Sequence, residues 1–287
     1  MSSKPLIVIK IGGSIGTLAD APTRLAQDIA ALSGEYDFVI VHGGASQTTC
    51  LSERLGITPK FITSPSGVKS RYTDAEAIKI FTMALRGEIN ANLVLALQSA
   101  GVNAVGLCGI DGRLLQAKQK IVISVDEQGR QKILRDDFTG KVEKVNAELL
   151  RALLSSGHVP VIASLALGEN NQPLNTDGDR AAAAIASALQ AERLILMTDV
   201  DGYFRHFPND LALSLARPEL VECMKNASGG MKRKLLASGE ALDGGVPEAI
   251  IGNGTKPSPI SSALAGAGTH ITATGSAHHQ ELSKLKF

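Results

Sequence analysis

The sequence contains no tryptophan, and aromatic residues make up only 3% of it. Few flat side chains are therefore available for stacking nucleic-acid bases. Net charge is also missing. Its 29 basic and 28 acidic residues leave +1, so bulk attraction to nucleic acid or to an anionic membrane is not expected. Cysteine is scarce: Cys50, Cys108 and Cys223 stand far apart and form no C-x-x-C pair. That spacing argues against a zinc site and for buried free thiols in a reducing compartment. No run of 18 or more apolar residues goes uninterrupted, so no transmembrane helix is expected. Met1-Ser-Ser-Lys-Pro leads straight into a strand-like segment without the pattern of a signal peptide. A cytoplasmic protein is the expectation. The phosphate-binding signatures G-x-x-x-x-G-K-[ST] and G-x-G-x-x-G do not occur. Any nucleotide must then be held by something other than a P-loop or a Rossmann turn.

What is present is an ordinary globular composition, 44% hydrophobic and 20% charged over 287 residues, the length of one large α/β unit or two tightly joined lobes. Short apolar runs at 6–10, 38–41, 105–107, 159–163, 194–197 and 249–251 read as buried strands. Helical patterns fall between them at 22–33, 74–100, 146–156, 179–191 and 231–242. The stretch 74–100 reads as one long helix capped by Thr73 or Asp74. Strand–helix alternation predicts an α/β fold, an open αβα sandwich with a mostly parallel central sheet. Ligands then belong at the carboxyl ends of the strands. Residues 123–132 break the pattern as a β-hairpin turning near Gln128-Gly129. The polar turn 168–172 marks a boundary between lobes 1–168 and 169–287 of one continuous domain.

Five motifs carry polar chemistry at strand or helix ends. In Lys10-Ile-Gly-Gly-Ser14 a strand ends in a lysine and opens into a glycine pair. Such a pair lets backbone N–H groups approach phosphate oxygens while the lysine supplies a point charge. Gly12-Gly-Ser-Ile-Gly16 also fits the G-x-S-x-G nucleophile elbow, but it lies on the first strand with no room upstream for an oxyanion loop. Val41-His42-Gly43-Gly44-Ala45 is a second strand ending in a glycine pair. His42 could serve as a general base, although a packed, backbone-bonded histidine is the commoner case; the remaining histidines show no metal-ligand spacing. Asn175-Thr-Asp177-Gly-Asp179 opens an Ala-rich helix with more polar residues than one cap needs, and Asp179 falls in the first turn. Thr198-Asp199-Val-Asp201-Gly202-Tyr203 follows a strand directly. Gly229-Gly-Met-Lys-Arg-Lys234 leads a helix with basic charge in an apparent first turn, which opposes the dipole unless an anion is near.

Each motif alone occurs in unrelated proteins; the five in this order resemble the acetylglutamate kinase branch of the amino-acid kinase family across almost the whole chain. Within it, Ser64-Pro-Ser-Gly-Val-Lys-Ser-Arg-Tyr-Thr-Asp74, Gly106-Leu-Cys-Gly-Ile-Asp-Gly112 and Phe138-Thr-Gly-Lys141 are similar to the kinases that act on 2-aminoadipate or glutamate attached to a small amino-group carrier protein. The resemblance implies a carbamate-kinase-like fold, with residues 1–168 binding the acceptor and 169–287 the nucleotide. It implies Lys10 and Lys234 as transition-state lysines oriented by Asp179. Gly12, Gly13, Gly43 and Gly44 are backbone donors by the same reasoning. Arg71, Asn175, Lys69 and Tyr72 hold the acceptor, while Thr198, Asp199, Asp201, Gly202, Tyr203 and Met231 line the nucleotide. ATP with Mg²⁺ bound through its phosphates, a small acidic carrier and a homodimer are implied as well, with no protein-held metal. Lys60, Lys69, Arg71 and Lys79 are placed to steer the carrier, or to form a solvated rim. Ala45 and Asp177 depart from acetylglutamate kinases, which carry Gly and Asn there, and Gly252-Asn-Gly-Thr-Lys256 differs too.

The expected function is therefore phosphorylation of a carrier-bound side-chain carboxylate in lysine or arginine biosynthesis. An acetylglutamate kinase acting on the free small molecule is the alternative. A non-catalytic amino-acid sensor on a kinase fold, and a serine hydrolase built on Ser14, stand further off.

Overall fold

The computed structural model describes residues 4–12, 20–65, 69–125, 128 and 130–275. Gly13, Ser14 and the middle of the 64–74 segment lie outside the described residues, as does Gly129 of the expected hairpin.

In chain order the strands are β1 (Leu6–Ile11), β2 (Asp37–His42), β3 (Phe61–Thr63), β4 (Lys69–Arg71), β5 (Ala104–Gly109), β6 (Leu115–Gln119), β7 (Val122–Val125), β8 (Gln131–Leu134), β9 (Thr139–Val145), β10 (Val159–Gly168), β11 (Pro173–Thr176), β12 (Arg193–Thr198), β13 (Phe204–His206), β14 (Asp210–Leu211), β15 (Ser214–Ala216), β16 (Glu248–Asn253) and β17 (Thr269–Thr272). The helices are α1 (Ala21–Leu32), α2 (Ala45–Arg54), α3 (Ala75–Thr82), α4 (Asn90–Ser99), α5 (Ala147–Ser155), α6 (Gly178–Leu189), α7 (Leu220–Asn226), α8 (Gly229–Asp243) and α9 (Pro259–Leu264). One sheet runs β11-β9-β6-β10-β2-β1-β12-β16-β17-β15, with β5 also on β10. Its centre, β10-β2-β1-β12-β16, is parallel throughout, as strands buried on both faces require. From β1 the chain builds outward to β2 on one side and returns to β12 on the other. That reversal leaves a crevice at the carboxyl ends of β1 and β12.

Strand alternation divides the core between two faces. Val8, Val39, Val41, Leu194 and Leu196 point to the layer containing α6 and α8. Ile7, Ile9, Phe38, Ile40 and Ile195 point to the layer of α1, α4 and α9. Each such aliphatic side chain, fully buried, is worth about 1.5–3 kcal/mol. The alanines of α6 are buried, and their small side chains let this helix sit close to both the sheet and α8.

The long helix is present, with Asp74 as its cap, accepting from the Ala77 N–H at 2.9 Å. It is not uniformly α: residues Met83–Ile89 form a π-helical turn, closed by the Asn90 N–H donating to the Leu85 carbonyl. By length and composition Ala75–Ser99 would qualify as a membrane span, although Glu76, Lys79, Arg86 and Glu88 interrupt its apolar residues. Its apolar face, including Ile78, Phe81, Leu85, Leu93 and Leu97, is instead core against the sheet. The hairpin β7–β8 forms as expected. The polar turn at 168–172 joins β10 to β11 as antiparallel neighbours.

Asp28 ties α1 to the start of α9. Its buried carboxylate accepts from the N–H groups of Ile260 at 2.6 Å and Ser261 at 3.1 Å, and from the Ser261 hydroxyl. It thus caps α9 from another element. Asp28→Ala should lower unfolding free energy by about 2 kcal/mol in urea titration, the cost of a lost cap plus unsatisfied donors; an unchanged midpoint would show that α9 does not need it.

Candidate active site

Three elements converge on one carboxylate. On β1, Lys10 lies two residues beyond Val8 and so shares its face, toward α6. On α6, Asp179 lies three and four residues before the buried Ala182 and Ala183, on the stripe facing the sheet. On α8, Lys234 heads a buried stripe with Leu235, Ala237, Ser238 and Ala241, facing α6. The Lys10 ammonium stands 2.8 Å from Asp179 Oδ1. The Lys234 ammonium stands 3.2 Å and 3.3 Å from its two oxygens. All three side chains are buried. Burial pushes the Asp179 carboxyl upward, but the two ammonium groups outweigh it and hold it below the usual carboxylate range. Burial, then repulsion from Lys10, lowers Lys234 despite Asp179. Two cations share one anion, so the cluster carries an excess positive charge out of water.

This arrangement corrects the reading of the 229–234 segment. α8 begins at Gly229, so Lys232, Arg233 and Lys234 occupy its second turn. The compensating anions are internal: Asp179 for Lys234, and Asp177 for Arg233 at 3.6 Å. Asp177 also caps α6, its Oδ1 accepting from the N–H groups of Asp179 at 2.9 Å and Arg180 at 3.2 Å.

A cleft of about 710 Å³ opens onto this cluster, and Lys10, Gly43, Gly44, Arg71, Asn175 and Asp179 all line it. Gly44 begins α2, whose N-terminus faces the cleft; free N–H groups at such an end favour an anion. A Cβ at Gly44 would come within 2.1 Å of Ile89 Cδ1 on the π-helical turn, so glycine here allows two backbones to pack closely. His42 is a packed histidine rather than an exposed base. Its Nδ1 pairs with the Gly43 carbonyl at 3.0 Å, and the Asn90 amide lies 2.9 Å from its Nε2. Burial lowers its pKa to about 4, against the raising effect of the Gly43 bond. Arg71 lies 5.4 Å from the ring centroids of both Phe61 and Phe81 and donates to Thr49; burial lowers its pKa.

Other expected residues sit elsewhere. Tyr72 is not among the residues lining the cleft; burial, then a bond to Asp136, pushes its hydroxyl upward. The Lys69 side chain, like Gly13, lies outside what is described. Lys60 is exposed and paired with Asp74 at 2.8 Å, and Lys79 with Glu76 at 3.5 Å. At the carboxyl end of β12, Thr198 donates to Asp199 at 3.2 Å. Asp201 accepts from Asn253 at 2.8 Å and lies 3.1 Å from the Lys256 ammonium. Both hold its carboxyl low. Gly202 has φ +149°, and a Cβ there would meet Thr269 Oγ1 at 2.6 Å. Tyr203 departs from the expected lining role: its ring is core, and its hydroxyl donates to the Cys223 carbonyl at 3.4 Å. Met231 is half-buried against the same core. Sequence reading passed over Lys120, Asp137, Ser164 and Arg233, all of which line the cleft. Ser164 was legible as the continuation of the 159–163 strand; Lys120 and Asp137 belong to irregular segments with no periodicity.

The sequence profile of the amino acid kinase family matches residues 5–253. The chain belongs to this family. It is 43% identical over 271 residues to a [LysW]-aminoadipate kinase of Deinococcus radiodurans, covering 93% of this chain and 91% of that protein. It is 38% identical over 269 residues to a [LysW]-aminoadipate/[LysW]-glutamate kinase of Metallosphaera sedula, covering 93% and 100%. Among solved structures, N-acetylglutamate synthase from Neisseria gonorrhoeae, complexed with coenzyme A and N-acetyl-glutamate, superposes with a TM-score of 0.77 at 26% identity; the match spans 94% of this chain and 60% of that one. The amino-acid kinase fold expected from the motif order is thus the fold observed.

His42 gives a pH-dependent test. Its pKa falls from 6.5 to about 4 on folding, so between those values the unfolded chain binds a proton that the native chain does not. Stability should therefore decline as pH drops through this window and be flat above it, by about 2 kcal/mol between pH 7 and pH 5. Urea unfolding at the two pH values, compared with His42→Gln, should show this component missing in the variant; equal slopes would contradict it.

Proposed function

We propose that this chain transfers the γ-phosphoryl group of ATP to the side-chain carboxylate of 2-aminoadipate or glutamate held through its amino group on a small carrier protein, in lysine or arginine biosynthesis. The observation that carries this reading is the buried Lys10–Asp179–Lys234 cluster, of which Lys10 and Asp179 line the cleft and Lys234 lies behind Asp179. Identity of 38–43% across 93% of the chain to kinases named for LysW-bound acceptors supports the substrate class.

The chemistry asks for little beyond positioning and charge. The acceptor carboxylate is ionised at neutral pH, so no base has to remove a proton, and a neutral, fully bonded His42 is consistent with that. A carboxylate oxygen forms a bond to the γ-phosphorus as the bond from phosphorus to the bridging β,γ-oxygen breaks. The products are an acyl phosphate and ADP. In this proposal Lys10 and Lys234 meet the transferring phosphoryl oxygens, and Asp179 keeps both ammonium groups aimed. The N-terminus of α2 at Gly44 faces the acceptor side, with Arg71 and Asn175 holding its carboxylate, while the Gly43 N–H donates to the Ile11 carbonyl at 3.4 Å. The turn Thr198–Gly202 borders the nucleotide. Mg²⁺ carried on the nucleotide phosphates would supply charge neutralisation there. Attachment through the amino group masks it as an amide, which stops the activated side chain from cyclising onto its own amine. A cytoplasmic location and a homodimer belong to the same proposal, the latter to be read by sedimentation.

The test is hydroxylamine trapping of the acyl phosphate, comparing ATP-dependent turnover of loaded carrier with that of free acetylglutamate. Turnover of loaded carrier is expected, and Lys10→Ala should lower kcat by about 10²–10³, the usual loss for one such donor. Turnover of acetylglutamate alone would assign the free small molecule, and no hydroxamate from either would remove the kinase reading.

A further inference from the structure

Among the cations lining the cleft, Lys10 is paired with Asp179, Arg233 faces Asp177, and Arg71 lies against two aromatic rings. Lys120 is different. It follows β6, is anchored by its N–H to the Thr139 carbonyl at 2.8 Å, and is half-buried. Among the described residues it has no ion-pair partner; Asp177 and Asp137 act on it only through longer-range charge. Lys120 also lines a second cavity of about 160 Å³, which shares Thr176 and Asp177 with the cleft and lies against Lys141, Arg180 and Glu240.

The carboxylates around this cavity are already committed. Glu240 receives both Nε and Nη2 of Arg180, with Nε 2.8 Å from Oε2. Asp177 spends one oxygen on the start of α6 and turns the other to Arg233. Lys120 and Lys141 remain without an anion among the described residues. We propose that the small cavity is a carboxylate subsite, in which Lys120, backed by Lys141, holds an acidic group of the carrier. The subsite rests on the function proposed above and deepens it. Burial, followed by repulsion from Arg180, disfavours the Lys120 ammonium; an incoming carboxylate supplies the missing counter-charge. The volume suits a carboxyalkyl group and is too small for a nucleotide. A free N-acetylated amino acid reaches no charge there, so the lysine discriminates between the two acceptor types, as a site built for a polar group does against an analogue lacking it.

The experiment is steady-state hydroxamate kinetics on wild type, Lys120→Gln, Lys120→Arg and Lys141→Gln, each with loaded carrier. Lys120→Gln should raise KM for loaded carrier roughly 10- to 100-fold, the loss of one charge-assisted hydrogen bond, with a smaller effect on kcat and none on KM for ATP. Lys120→Arg should restore most of the affinity, and Lys141→Gln should shift KM in the same direction by less. A carrier with that acidic group converted to its amide should raise the wild-type KM alike, and Lys120→Gln should then add nothing. If wild type turns over loaded carrier and a folded Lys120→Gln keeps its KM, or if KM for ATP moves instead, the subsite is overturned alone. If Lys120→Gln does not fold, an unmoved KM in Lys141→Gln together with no effect of the amidated carrier overturns it equally. If wild type fails on loaded carrier, the proposed function falls and the subsite with it.

Discussion

One buried carboxylate shared by two lysines is the constraint around which the molecule is organised. A buried charge is tolerated only when paired and hydrogen-bonded, and Asp179 is doubly paired. Holding that pairing fixes β1, α6 and α8 relative to one another. The alanines of α6 bring its axis close enough for the ammonium groups to reach the carboxylate. In the function proposed above, the remaining positive charge meets the transferring phosphoryl group.

The opposite wall of the cleft depends on a second close fit. The π-helical turn Met83–Ile89 lies against Gly44, and Asn90 at its end meets His42 and the Val161 carbonyl, each at 2.9 Å. π-turns are uncommon and recur at functional sites. Here the turn sets where the N-terminus of α2 points. Asp137 fastens the same wall to β9, accepting from the Thr73 N–H at 3.0 Å and the Thr139 N–H at 2.9 Å.

The parts legible in the sequence were those with a strong period or a dense polar turn. Apolar runs located the parallel centre of the sheet, and N-x-D-x-D before an alanine run located the start of α6 with Asp179 in its first turn; the bridge from Asp179 to the two lysines was legible only through the family resemblance. What stayed hidden has physical reasons. Sheet strands β6 and β9 are partly exposed and carry no apolar run, so Lys120 had no frame to place it, and Lys141 entered only through the resemblance carried by Phe138-Thr-Gly-Lys141. A π-turn leaves no mark in hydrophobic spacing. The pattern places the helix start at 231 and the structure places it at Gly229, so Arg233 and Lys234 lie beyond the first turn, where Asp177 and Asp179 pair with them. Tyr203 follows an acidic turn in sequence, but the alternation beyond β12 takes its ring into the core.

The central claim is that Asp179 acts through the two lysines. The most direct measurement is a kinetic cycle of Asp179→Asn, Lys234→Met and the double variant, with folding verified by circular dichroism. If the carboxylate serves to aim the ammonium groups, each single change lowers kcat by about 10² or more and the double variant loses little beyond the worse single. Losses that multiply across the cycle would mean the two side chains act independently and would contradict the account.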